Sequence, residues 1–493
     1  MPHDLDSEDD MAAAVAAPAD NSWGAMFQGA RGLAAITLAS GVGLQAMETF
    51  IVSTLLPSVV NEIGGLELFA WNTTVFIVAS IMASIFAAVR PFNLGPRGIY
   101  LVAAFGFGLG SLICGLAPNM PVMLAGRAVQ GLGAGLLTAM SYSMIRVIFP
   151  QELWGRAFAL ISSVWGVSTV IGPAIGGVFA AFDGWRLAFF VIVPCSALLG
   201  LLALRVIPRS SGETGMARVP VLQIMLLISA VALISVASIL TGGVVLPAFL
   251  VGLAVLAILT LGVIDQHREN HLFPRGTFRL RGPLPALFLA MLLLNLGIIS
   301  EMFVPLFVQN LHGQAPLVAG YMVALVAVGW STGSIVVANW TGARERLVLV
   351  LGPTLQLLGL VGLALFIGVD NTAGAILPLV PVGVALLFLG TGIGISWPHV
   401  SARLLHSAPA GEGDLTSAAI SMVQLFASGF GAAVAGVIVN AAGLASSESV
   451  RVTISAAGWL YWLFALAPLL AIPVLWGVAR NGRAGAPVVL PAG

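Results

Sequence analysis

Polar residues interrupt this chain only at intervals. Between them lie apolar runs long enough to cross the roughly 30 Å hydrocarbon core of a bilayer as helices. The runs fall near 31–57, 70–90, 98–117, 121–147, 154–182, 186–207, 219–240, 245–264, 283–311, 316–340, 347–369, 374–400, 414–441 and 455–479. The short linkers at 118–120 and 241–244 are the least distinct breaks. The pattern predicts an all-α membrane protein with fourteen spans.

Arginine tests that count, because cytoplasmic loops of membrane proteins collect basic residues. With the N-terminus inside, Arg90, Arg97, Arg146, Arg156, Arg205, Arg209, Arg218, Arg268, Arg275, Arg279, Arg281, Arg344, Arg346 and Arg403 all fall on the inner side. So do Arg31, Arg480 and Arg483 in the flanks, while the outer loops hold only Arg186 and Arg451. A wrong helix count would invert the later loops and destroy this asymmetry. Both termini are therefore expected in the cytoplasm.

Composition points the same way. Hydrophobic residues make up 59% of the chain and charged residues 8%, with a mean hydropathy of +1.04. A soluble domain carries about 25% charged residues, and 493 residues could not cover a soluble surface with so few. The formal net charge is zero, which gives no basic field for nucleic acid. Cys114 and Cys195 both lie inside apolar runs, so neither a disulfide framework nor a Cys-ligated metal is expected. Residues 1–30 carry Asp4, Asp6, Glu8, Asp9 and Asp10 among alanines. They read as a disordered acidic cytoplasmic tail rather than a signal peptide, which would start basic. Every basic residue is Arg and none is Lys, a usage that suits a high-GC bacterial genome and a bacterial inner membrane.

The chain also looks duplicated. Gly95-Pro96-Arg97 sits in a tight inner loop before an apolar run, and Gly342-Ala343-Arg344 does so again. The basic stretch 265–281 separates the two halves. The expected layout is a tail at 1–30, a six-helix half at 31–210, two inserted helices with a basic linker at 211–282, a second six-helix half at 283–480, and a cytoplasmic tail at 481–493. Repeats of this kind place a substrate site at their interface near the midplane.

The fourth run contains Arg127-Ala128-Val129-Gln130-Gly131-Leu132-Gly133-Ala134-Gly135. An arginine at the bilayer centre costs about 2.5–3.5 kcal/mol or more, and persists where it faces the bundle interior and finds a partner. The alternating glycines let a neighbouring helix approach closely. The plainer reading is a packing face with a snorkelling Arg. The fifth run contains Ser168-Thr169-Val170-Ile171-Gly172-Pro173-Ala174-Ile175-Gly176-Gly177. Pro173 frees a carbonyl and bends the helix, and the small residues permit tight packing at the bend. Two acids, Glu48 and Glu301, lie within the first and ninth runs at matched depths. A depth count of 1.5 Å per residue also puts Glu48 and Arg127 at compatible levels, so the two are expected to face each other.

These motifs, in this order, resemble the major facilitator superfamily, and in particular its fourteen-helix drug:proton antiporters. The Gly172-Pro173 run resembles the antiporter signature, Glu48-Thr49-Phe50 with Pro57 the acidic first-helix motif, Trp185-Arg186 the junction of the fifth and sixth helices, and Pro305 to Gln309 the start of the second half. The resemblance implies a bundle of two six-helix halves plus two inserted central helices. It implies proton-coupled efflux of small amphipathic or cationic compounds by alternating access, with Glu48, Arg127 and Glu301 handling protons. Gln130, Gln309, Trp397 and His399 are candidates to line the substrate cavity. Gly131, Gly135, Gly172, Pro173, Gly176, Gly177, Gly95 and Arg97 are candidates for packing and gating. One departure stands out: the family's loop between the second and third helices carries an Asp where Phe92 stands here.

The expected partners are a small-molecule substrate, protons and the lipid bilayer, for a monomer with no nucleic acid, cofactor or metal. No phosphate loop, metal cluster or nucleophile set occurs, so an enzyme is disfavoured. His267, His271, His312 and His406 read as loop residues. Two other readings stay open: an exporter or importer of one specific metabolite, and a non-transporting membrane receptor or scaffold.

Overall fold

The computed structural model describes residues 23–89, 94–150, 153–209, 220–240, 245–268, 270–279, 282–337, 340, 342–446 and 449–481. Fourteen helices among them are long and apolar enough to cross a membrane. They are α1 (Gly29–Ile63), α2 (Phe69–Val89), α3 (Pro96–Gly115), α4 (Met120–Ile148), α5 (Trp154–Ala181), α6 (Trp185–Val206), α7 (Val221–Ile239) and α8 (Val245–His267), then α9 (Pro283–His312), α10 (Pro316–Val337), α11 (Ala343–Phe366), α12 (Leu379–His406), α13 (Gly413–Ala441) and α14 (Val450–Asn481). Within α9, a 3-10 turn at Ser300–Phe303 joins two α-helical segments, Pro283–Ile299 and Val304–His312. An even number of crossings puts both chain ends on one face, here called the terminal face. The opposite, far face carries the α1–α2 connection and every second one after it.

Helix ends follow local chemistry. The Asn119 side chain caps α4 by accepting from the Val122 N–H at 3.1 Å. Proline opens α3 and α9, where its missing N–H costs nothing. Gly313 closes α9 in the left-handed region at φ 56, a conformation that favours glycine.

The structure moves several expected boundaries. The expected tail at 1–30 is shortened: residues 1–22 lie outside the described residues, but Trp23–Met26 form a helical turn whose Met26 is buried. The run at 374–400 begins as a helix only at Leu379, because Gly374 turns at φ 78 and Asn371 ties the loop to itself through Ala375. The helix then continues to His406, so His399 sits well inside it. His267, His312 and His406 end helices rather than lying in loops. The expected tail from 482 on and the loop residue Phe92 lie outside the described residues.

Helix pairing repeats along the chain. In the first six helices α4 packs on α2 and α3, and α1 packs on α4, α5 and α6, with α3 on α6. Eight helices later the same six pairings recur: α12 on α10 and α11, α9 on α12, α13 and α14, and α11 on α14. The seam between the two sets is made by α5 against α10 and by α2 against α13, which are also equivalent under that shift. The inserted pair breaks the symmetry. Helix α7 packs on α13 and α2, covering that side of the seam, and α8 packs on α7.

Candidate functional site

The core of the first half is set by three glycines on α4. A methyl group on Gly131 or Gly135 would run into the Phe76 or Ser80 carbonyl of α2, and one on Gly133 into the Phe107 amide of α3. Ser80 adds a hydrogen bond to the Gly131 carbonyl at 3.0 Å. This wedge seats α4 between α2 and α3 and leaves Arg127, one turn earlier, facing α1.

There Arg127 forms an ion pair with Glu48 through Nη1 and Oε1. Both side chains are sealed in, with relative exposures of 0% for Glu48 and 3% for Arg127. The guanidinium also donates to Gln130 Oε1 at 2.6 Å and to the Asn72 carbonyl at 3.2 Å, and it lies 4.2 Å from the centre of the Phe76 ring. Gln130 passes the network on to Ser111 Oγ at 2.8 Å. A buried ion pair is stable only when its remaining donors and acceptors are met. Here the guanidinium has three polar partners and an aromatic face, while Glu48 Oε2 accepts no hydrogen bond. Gln130, expected to line a cavity, is therefore a buried member of this network, both ends of its amide engaged.

The α5 motif forms a junction at the far side of the seam. Gly172 and Gly176 pack on Phe50 and Ile51 of α1, with Cβ positions 2.5 Å and 2.9 Å away. Gly177 meets Leu317 of α10, and Gly320 of α10 fits between Thr54 and Pro173. On the other flank Gly436 meets Ala70, Phe69 stacks on Phe303 at 5.0 Å, and Asn440 donates to the Glu67 carbonyl at 2.9 Å. These contacts between the halves gather towards the far face. Among the described residues, polar ties nearer the terminal face include two within a half: Arg97 donates to the Ile207 carbonyl at 2.7 Å, and Arg403 pairs with Glu345 at 2.6 Å. Gly95 is the N-cap position of α3 and Arg97 its second residue, so both brace the first half rather than bridge to the second.

The remaining candidates do not converge. Glu301 lies in the 3-10 turn of α9 with Oε2 shielded and without a hydrogen-bond partner, and Gln309 Nε2, two turns on, is likewise unpartnered. Trp397 stacks near Trp330 at 5.9 Å, and His399 contacts the Val337 carbonyl at 3.2 Å. Gln309 is at the far end of α9, whereas Trp397 and His399 are towards the terminal end of α12. No hydrogen bond or ring contact among the described residues links them to one another or to Gln130.

Sequence reasoning missed three features. Gly390, Gly392 and Gly394 of α12 repeat the α4 wedge, against Val326, Gln356 and Trp330. The Gly-x-Gly-x-Gly spacing was the available signal. His312, fully buried, joins the Ile367 carbonyl at 3.0 Å and Asn371 at 3.3 Å, linking two far-face loops. Tyr461 of α14 is fully buried beside Phe307, with ring centres 6.1 Å apart, and nothing in its local sequence marks it.

Comparison with known proteins agrees with this architecture. A probable multidrug-efflux transporter of Mycobacterium tuberculosis is 38% identical over 428 residues, covering 83% of this chain and 87% of the relative. Multidrug resistance protein 3 of Bacillus subtilis is 27% identical over 302 residues, covering 60% of this chain and 59% of that protein. Among solved structures, a POT family transporter in complex with a peptide conjugate superposes with TM-score 0.66 at 15% identity, over 92% of this chain and 97% of that one. A D-xylose-proton symporter gives 0.60 at 17% identity, over 90% and 97%. At such identities these likenesses concern the fold alone. The model of the Major Facilitator Superfamily matches residues 38–436. With fourteen apolar helices, a duplicated six-helix pairing and a buried ion pair at its core, the chain belongs to the Major Facilitator Superfamily and is a secondary transporter.

Proposed function

We propose that this chain exports small amphipathic or cationic compounds in exchange for protons, with the terminal face in the cytoplasm of a bacterial inner membrane. The orientation rests on the arginines that crowd the terminal-face loops, and the substrate class on the multidrug-efflux names of the relatives. The division into halves at 31–210 and 283–480, with the segment 211–282 between them, rests on the repeated helix pairing. Contacts between the halves gathered towards the far face support an inward-facing state, for a monomer working by alternating access.

The observation that carries the coupling is the sealed Glu48–Arg127 pair. A proton arriving at the free Oε2 of Glu48 cancels the carboxylate charge. Arg127 keeps Gln130 and the Asn72 carbonyl as partners. The electrostatic tie between α1 and α4 is then lost, and α1 is also the helix that α5 packs on at Gly172 and Gly176. Proton binding at Glu48 thus reaches the seam through one helix. Glu301 serves as the second proton-handling acid.

The test is ethidium transport in proteoliposomes of purified protein under an imposed pH gradient. Wild type should accumulate dye and lose it on adding a protonophore. Glu48→Gln should bind dye but fail to respond to the gradient. Gradient-driven transport in Glu48→Gln equal to wild type removes Glu48 from the mechanism.

A further inference from the structure

Among the described residues, no cation pairs with the acid of the second half. The turn that carries Glu301 touches α13 and α14. Among residues of those helices, α13 has a single charged residue, Asp414 at its terminal-face end, and α14 has Arg451 and Arg480 near its two ends. Helix α2, whose Phe69 stacks on the turn's Phe303, carries no charge at all. On α1, Arg31 and Glu62 sit near its two ends, and Glu48 is engaged by Arg127. Tyr461 belongs to α14, one of the helices the turn touches, and lies within electrostatic reach of Glu301. Tyr461 Oη and Glu301 Oε2 are both shielded, and neither has a hydrogen-bond partner. Leaving a buried donor and a buried acceptor both unmet costs free energy, and native proteins rarely tolerate it without a functional reason.

An aromatic ladder holds the two in place. Tyr461 lies against Phe307, Phe307 against Phe303 at 6.0 Å, and Phe303 stacks across the seam on Phe69. A short 3-10 stretch inside an α-helix is a common place for local rearrangement, and here it carries the carboxylate. A rearrangement of the turn against α14 would bring the carboxylate to the phenol. A phenol is the right partner for this position: it donates to a carboxylate without bringing a permanent charge into the bilayer core.

We propose that the Tyr461 hydroxyl is the donor that holds Glu301 in its ionised form, making Tyr461 a positioning residue for proton exchange at Glu301. The inference rests on the proton-coupled reading above. When Glu301 gives up its proton, the phenol O–H turns to the carboxylate. When Glu301 is protonated again, that bond is released, and no proton leaves Tyr461 at any stage.

The experiment titrates Glu301 directly. In full-length protein in nanodiscs, its carboxyl infrared band is assigned by its loss in Glu301→Gln and followed against pH. Tyr461→Phe removes a hydrogen bond to a charged group, so half-protonation should need about tenfold less proton than in wild type. Phe307→Leu disturbs the same packing but keeps the hydroxyl, and should leave the midpoint in place. Protein carrying 3-fluorotyrosine at its tyrosines keeps its shape and gains a stronger donor, and its midpoint should move the opposite way. A Tyr461→Phe midpoint within twofold of wild type overturns the proposal, as does an equal shift in Phe307→Leu or an unmoved fluorotyrosine midpoint. A shifted midpoint in a protein whose dye transport ignores protonophores upholds the Glu301–Tyr461 pair and removes the coupled-export reading instead.

Discussion

The wedge glycines put the two halves in register. Gly131, Gly133 and Gly135 of α4 correspond to Gly390, Gly392 and Gly394 of α12, each set pressed against the second and third helices of its own half. In that register Arg127 aligns with Leu386 and Gln130 with Leu389, both leucines fully buried. The same backbone thus holds a charged network in one half and plain hydrocarbon in the other. The acids diverge to match. Glu48 has a guanidinium against it, whereas Glu301 has the phenol of Tyr461 as its neighbour. Duplication kept the packing, which depends on backbone approach. It did not keep the electrostatics, which depend on one side chain per helix.

The largest test converts one half into the other. Arg127→Leu places the α12 residue in α4 and leaves Glu48 buried without its cation, a loss of about 3–5 kcal/mol for a broken buried pair. A steep fall in thermal midpoint is expected, and the double variant Glu48→Gln with Arg127→Leu should recover much of it. No recovery would mean that the pair is not what couples α1 to α4.

A second test asks whether the wedges are equivalent. Gly131→Val and Gly390→Val each drive a side chain into a facing carbonyl, Phe76 or Val326. Overpacking of this kind costs about 1–3 kcal/mol, so both should lower the melting temperature by similar amounts. A loss confined to one variant would break the structural half of the comparison.

The inserted pair offers a finer probe. Asn440 donates to both the Glu67 and Ser238 carbonyls at 2.9 Å, and Trp71 donates to the Ser235 carbonyl at 2.8 Å. The α2–α13 flank is therefore clasped by α7, and the α5–α10 flank is not. Asn440→Ala removes about 1 kcal/mol of that clasp. Spin-label distances across the far ends of α2 and α13 should broaden, with those across α5 and α10 less affected. The smallest effect is expected at Arg403–Glu345, a pair with about a fifth of each side chain exposed. Glu345→Gln keeps an oxygen for Arg403 to donate to, so its shift in denaturation midpoint should be well below that of Arg127→Leu.

Much of the architecture was legible before any coordinates. Apolar run length fixes where helices can lie, and arginine placement fixes their alternation, because both report on the bilayer rather than on neighbouring helices. The facing of Glu48 and Arg127 could be anticipated from depth alone, since 1.5 Å per residue carries over to a straight span. The partners of Gln130 are not legible in the sequence, because spacing along α4 does not say whether an amide points to a cavity or to Ser111. Spacing along the chain likewise does not say that Gln309 lies towards the far face while Trp397 and His399 lie towards the terminal face.

Fourteen spans, the duplication and the pair of intramembrane acids could be read from the chain alone, because insertion into lipid is decided segment by segment. That α7 covers one flank of the seam, that the second wedge lies on α12, and that Glu301 Oε2 and Tyr461 Oη are both left without a hydrogen-bond partner emerges from the tertiary packing alone. Those outcomes depend on which helix faces which at a given depth. Packing between helices already in the membrane rests on close contact and individual polar partners, and that information is spread over residues hundreds of positions apart.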